Sequence, residues 1–192
     1  MSELSSPPPA KPPVLLGCGL FLGVVVVFVV AVVGFVIFLD SGSATGKVTL
    51  DRAAAYAEGS VERFAGRGFY LVRLRGADIF ALVDLDAANR LAQGRRCRVA
   101  PIAAIDPALP GLLDRYRRSF SPQAAGSSII FREDCNGALY DVAGMRLDAP
   151  GPNLDRYPVE VNEAGFVVVD TARRTCSERD GPDPFAPVAC SR

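Results

Sequence analysis

The chain of 192 residues contains neither histidine nor tryptophan. Without an imidazole it can form no Ser/His/Asp triad and no Cys/His nucleophile. Nor can it supply nitrogen ligands from histidine to a metal centre. Excess charge is also lacking: 21 Lys and Arg face 21 Asp and Glu, so nothing in the charge balance implies a nucleic acid as partner. Cysteines spaced two to four residues apart are absent, which removes the C-x-x-C redox motif and the usual zinc knuckle. Glycine-rich phosphate cradles of the P-loop or dinucleotide type are missing as well.

The most biased segment present is residues 14–39, VLLGCGLFLGVVVVFVVAVVGFVIFL, which carries no charged side chain. A helix of that length rises roughly 39 Å against a hydrocarbon core of about 30 Å, and predicts a single transmembrane helix. A cleaved signal peptide fits less well, because Lys11 stands alone among prolines and no small-x-small site closes the run. Cys18 follows a lipoprotein-like Leu-Leu-Gly, but the apolar run comes after it, unlike a lipoprotein signal. Gly19 and Gly23 form a G-x-x-x-G pair that admits a close neighbouring helix. Lys11 on one side and Lys47 with Arg52 on the other leave orientation to the cysteines. Four of the five, Cys97, Cys135, Cys176 and Cys190, lie beyond the run, an even number that suits two disulfides in an oxidising compartment. The expectation is a single-pass cell-membrane protein with a cytoplasmic N-terminus and an extracytoplasmic domain.

Residues 1–13 are rich in Pro and Ser and read as a disordered leader. Residues 40–49 read as a tether, 50–175 as the domain and 176–192 as an irregular tail. A short helix is expected over residues 50–58. Strand grammar follows in residues 61–64, 69–75 and 79–84, separated by glycine turns, and again in 129–131, 138–140, 157–161 and 166–169. In residues 69–75 the odd and even positions alternate so that one face enters a core and the other meets water. Leu109, Leu112, Leu113 and Tyr116 recur at helical spacing after Pro110 and predict a helical insert within residues 101–128. Arg115, Arg117 and Arg118 on it read as a solvated basic face. The expected fold is mainly β, an antiparallel sandwich or barrel with that insert. A Cys176–Cys190 bridge would pin the tail, although four cysteines permit three connectivities. Glu133, Asp134 and Asp86 form a conceivable carboxylate metal site, but loop carboxylates are mostly solvated.

Residues 131–161, FREDCNGALYDVAGMRLDAPGPNLDRYPVEV, carry the clearest motif. Gly137, Tyr140, Asp141, Gly144, Pro150, Pro152, Leu154, Tyr157, Pro158 and Val159 resemble the second half of a Rieske iron–sulfur domain. The resemblance covers about residues 50–171. In that family a Cys-Pro-Cys-His-Gly-Ser run supplies one cysteine and one histidine ligand, and here Glu133 and Asn136 stand at those positions. The end of a first motif is matched by Cys97, which puts Ala92 and Gly94 at the other two ligand positions.

The resemblance implies a Rieske-type fold whose non-ligand cysteines, Cys97 and Cys135, are disulfide-bonded, while all four cluster ligands are replaced. No cofactor is therefore expected. Ala138 stands where the family often has a serine that donates to cluster sulfur. Gly137, Ala138, Tyr140, Pro150, Gly151 and Pro152 would line the vacated site. Family members pass electrons from quinol to a cytochrome, and this chain is expected to serve as a cluster-free structural or docking subunit of a respiratory or photosynthetic membrane complex. Two alternatives stand beside it: electron transfer from quinol to a cytochrome through an unconventional or partner-completed metal site, and a small-ligand module that reuses the vacated cavity.

Overall fold

The computed structural model describes residues 25–33, 46–76, 78–87, 96–180 and 183–190. The chain separates into two units, residues 1–45 and Gly46–Arg192. In the first, residues 25–33 form a helix, α1, whose side chains are all exposed. Among the described residues no helix is long and apolar enough to cross a membrane. This overturns the expected transmembrane helix and, with it, the single-pass placement in the cell membrane. The rest of 14–39 lies outside the described residues, as do Cys18, the Gly19/Gly23 pair and the leader.

The second unit is mainly β; among its described residues are ten strands in three antiparallel sheets and the short helix α2 (Leu109–Tyr116). Strands β1 (Lys47–Arg52), β10 (Phe166–Asp170) and β9 (Val159–Val161) form one sheet in the order β1-β10-β9. The central sheet runs β2 (Val61–Phe64), β3 (Phe69–Arg73), β4 (Ile79–Val83), β8 (Arg156–Tyr157). The third runs β5 (Val99–Pro101), β6 (Ile130–Glu133), β7 (Leu139–Asp141) and is inserted between β4 and β8.

Period-2 alternation explains how the layers stack. Phe69, Leu71, Ala81 and Val83 on one face of the β3–β4 hairpin pack with Val167 and Val169 of β10 and with Tyr56 and Tyr157. Tyr70, Val72 and Leu82 on the opposite face pack with Val99, Phe131, Tyr140 and Leu154 beneath the third sheet. The expectation that one face of this hairpin meets water is thus corrected. The sheet is covered on both sides, which is why β3 reads as an almost unbroken apolar run. Arg73, at its end, donates to the carbonyls of Ala53 and Tyr56 and so holds the turn that follows β1.

On the outer face of the third sheet, Ile130, Leu139 and Leu147 meet Leu109 of α2, with Leu112, Leu113 and Tyr116 packed against them. Pro110 lies in the first turn of α2, where a missing N–H costs nothing. Two local expectations fail. Residues 50–58 do not form an α-helix: β1 continues to Arg52 and is followed by a 3-10 turn at Ala53–Ala55. Pairing of Val48 with Val169 and Thr49 with Val168 overrides the alanine-rich helical propensity, and it takes residues 47–49 out of the expected tether. Strand β5 is three residues long and ends in proline, so no alternation in the sequence marks it.

Gly144 fixes how the β7 turn meets the central sheet. Its φ is +85°, and an added Cβ would lie 2.9 Å from Leu82 Cδ2 and 3.2 Å from Leu154 Cβ. Gly144→Ala combines a left-handed conformation with overpacking and should lower stability by about 2 to 4 kcal/mol, measured by urea unfolding.

Candidate functional site

Two loops of the third sheet meet at its tip. The β4–β5 loop brings in Cys97 and the β6–β7 turn brings in Cys135, and a disulfide joins them with 5.4 Å between their Cα atoms. Backbone bonds align the loops on either side of the bridge. Asp134 N–H donates to the Arg98 carbonyl at 3.0 Å, and Arg98 N–H donates to Asp134 Oδ1 at 2.8 Å. Asp86 N–H donates to the Cys97 carbonyl at 3.0 Å. Cys97 is fully buried, whereas Cys135 is exposed.

Glu133, at the position the resemblance assigns to a ligand cysteine, ends β6 with its side chain 1% exposed. One carboxylate oxygen accepts the Cys135 N–H and the other accepts the Asn136 N–H at 2.7 Å. A buried carboxylate is tolerable there because its charge meets two oriented backbone dipoles. The turn's N–H groups, which would otherwise lack a partner next to the sheet, are satisfied by a side chain of the same turn. Gly137 follows with φ +76°, closing the turn, and Ala138 is buried behind it. Asn136 is exposed. Ala92 and Gly94, the other two assigned positions, lie outside the described residues.

These residues do not fit a cluster with two cysteine and two histidine ligands. No histidine exists in the chain, so neither imidazole ligand of such a cluster can be supplied. The Sγ atoms of Cys97 and Cys135 and carboxylate oxygens of Glu133 and Asp134 nonetheless lie within 4.8 Å of one another.

Beneath the tip, Tyr140 is fully buried and its hydroxyl donates to Asp86 Oδ1. Burial and this bond push the phenol well above its ordinary range. Asp86 is itself 3% exposed, so it is not the solvated loop carboxylate expected from the sequence. Asp84, two residues earlier and 2% exposed, pairs with Arg98 at 2.6 Å and Arg63 at 3.5 Å. Both pairs went unread in the sequence; the signal available was the Asp-Leu-Asp that interrupts the apolar end of β4.

The proline loop is tied to the C-terminal tail. Pro150 is exposed, and Gly151 N–H donates to Asp180 Oδ2 at 3.1 Å. Arg179 donates from Nη1 to the carbonyls of Leu147 and Ala149, and Pro152 forms a bridge with Glu178. The tail that supplies these groups is held by the Cys176–Cys190 disulfide. It also carries Phe185, which with Phe80 sandwiches the Arg156 guanidinium at 4.2 and 4.5 Å. Burial pushes Arg156 down to about 10, still protonated at neutral pH, and its Nη2 donates to the Ala143 carbonyl at 2.6 Å. A cavity of about 250 Å³ lies elsewhere, lined by Gly59, Arg75, Asp78, Gln123, Gly126 and Ser127 among others, and not by residues 149–152.

No family model matches this chain, and no curated protein matches it in sequence.

The tip generates two stability predictions. Glu133→Ala, which strips the partner from two turn N–H groups, should cost about 2 kcal/mol in urea unfolding, and Glu133→Gln about half of that. Replacing both Cys97 and Cys135 by serine opens a loop of 38 residues and should cost about 4 kcal/mol by the chain-entropy relation, read by urea unfolding without reductant so that Cys176–Cys190 stays closed.

Proposed function

We propose that the unit Gly46–Arg192 is a Rieske-type domain without a cluster, and that it serves an electron-transfer complex as a structural or docking subunit and not as the electron carrier. The observation that carries the reading is the Glu133 carboxylate, which occupies a position assigned to a thiolate ligand and takes the turn N–H groups of Cys135 and Asn136. An iron–sulfur site of that type also needs neutral nitrogen ligands, and the chain has no histidine to give.

Three further features support the domain assignment. The third sheet is inserted between strands of the central one, and its two loops are tied by Cys97–Cys135. The motif residues Tyr140, Gly144 and Leu154 are buried together in the core beneath those loops. With the ligands replaced, the bridge and the Glu133 turn keep the tip in shape without metal.

The docking role is motivated by that preserved tip, which the domain maintains at the cost of a buried carboxylate although it carries no electron. The experiment is iron analysis and paramagnetic-resonance spectroscopy of the purified full chain as isolated, together with cross-linking in the native cell extract. Expected are a folded protein without iron and a cross-linked oxidoreductase subunit. Stoichiometric iron with a two-iron cluster spectrum overturns the first half of the reading, and a native protein that remains a free monomer overturns the second.

A further inference from the structure

The tip holds four potential donor atoms in one small volume: Cys97 Sγ, Cys135 Sγ and one carboxylate oxygen each from Glu133 and Asp134, all within 4.8 Å of one another. In the oxidised protein the two sulfurs are bonded to each other and carry no charge to offer a metal. We propose that reduction of Cys97–Cys135 turns the tip into a zinc site, with the two released thiolates and the carboxylates of Glu133 and Asp134 as ligands. This inference rests on donor geometry alone and is independent of the family reading.

The geometry supports four-coordination. Zinc takes thiolate at about 2.3 Å and carboxylate at about 2.0 to 2.2 Å, so a tetrahedron of such ligands has edges of roughly 3.3 to 3.8 Å. Four donors that already fit within 4.8 Å reach those separations by side-chain rotation once the sulfur–sulfur bond is gone. The Cα atoms of the cysteines, 5.4 Å apart, can stay where they are. Second-sphere groups are in place as well. Glu133 is oriented by the N–H groups of Cys135 and Asn136, and Asp134 by the N–H of Arg98. These dipoles also moderate the negative charge that four anionic ligands bring around one divalent ion.

Access favours the same end of the molecule. Cys135 is exposed, so a thiolate reductant can attack its sulfur while Cys97 leaves. The step balances with a dithiol: the protein disulfide gains two electrons and two protons, and the dithiol becomes a disulfide. Zinc then displaces both thiol protons to solvent, and its own oxidation state does not change. Two thiolates with two carboxylates suit a borderline-soft ion such as zinc better than magnesium or calcium, which prefer oxygen alone. The site would hold the two loops together in reducing surroundings, where the bridge is lost.

The test uses the full chain with Cys18, Cys176 and Cys190 replaced by serine, so that Cys97 and Cys135 are the cysteines that remain. After reduction with a water-soluble phosphine, cobalt(II) serves as the spectroscopic probe. Thiolate-to-cobalt charge-transfer absorption and tetrahedral bands that saturate at one cobalt per chain are expected in the reduced protein and not in the oxidised one, and zinc should bleach them. Asp134→Asn, an exposed position, should weaken zinc binding by about tenfold or more. The wild-type chain, with C97S/C135S as its blank, should behave alike. Absence of the charge-transfer band overturns the proposal, and so does unchanged affinity in Asp134→Asn. Where reduction unfolds the chain, zinc should restore its circular dichroism; a chain that stays unfolded in zinc overturns the proposal equally.

Discussion

Burial of the β3–β4 hairpin on both faces is the constraint on which the rest of the second unit depends. Five-residue strands cannot cover themselves, so one face requires the β1-β10-β9 sheet and the other requires the inserted sheet. Each outer sheet in turn has its own inner face fixed by that contact. The third sheet then needs α2 on its far side, since Ile130 and Leu139 point away from the hairpin. A single apolar hairpin therefore accounts for three layers of sheet and one of helix. Polar groups appear where this stacking ends, with Asp84 and Asp86 at the end of β4 and Arg73 at the end of β3.

The tip is a second kind of solution, local and polar. There the backbone turns through residues 133–138 with too little apolar surface to hold it. A covalent bridge limits the unfolded chain, while one carboxylate organises the turn from within. The two devices serve different ends. The bridge sets which loops meet, and Glu133 sets how the turn is shaped once they have met. Tyr140 links them to the core below, since its ring packs in the layer under the third sheet and its hydroxyl reaches Asp86.

Much of this was legible in the sequence wherever the physics is local. Glycine turns at Gly68 and Gly76 delimit β2, β3 and β4, and the spacing of Leu109, Leu112, Leu113 and Tyr116 marks α2. What was not legible depends on partners distant in the chain. Whether the second face of β3 is wet or covered is decided by residues some sixty positions on, and β1 is a strand because β10 waits for it. The roles of Glu133 and Asp86 were misjudged for a related reason. A carboxylate on a loop looks solvated until the loop is folded back over it.

Pairing of β1 with β10 has a consequence for the order in which the domain can be made. Lys47 and Asp170 are neighbours in space, and Thr171 N–H and hydroxyl both donate to the Gly46 carbonyl. The sheet that covers one face of the hairpin is thus completed by segments more than a hundred residues apart, and it cannot close on the ribosome until β10 has emerged. Until then the hairpin face formed by Phe69, Leu71, Ala81 and Val83 lacks that cover, while β2, β3 and β4 can already pair among themselves. From the completion of β4 to the emergence of β10 that face stays without its cover, an interval set by the pace of synthesis and not by any contact in the finished fold.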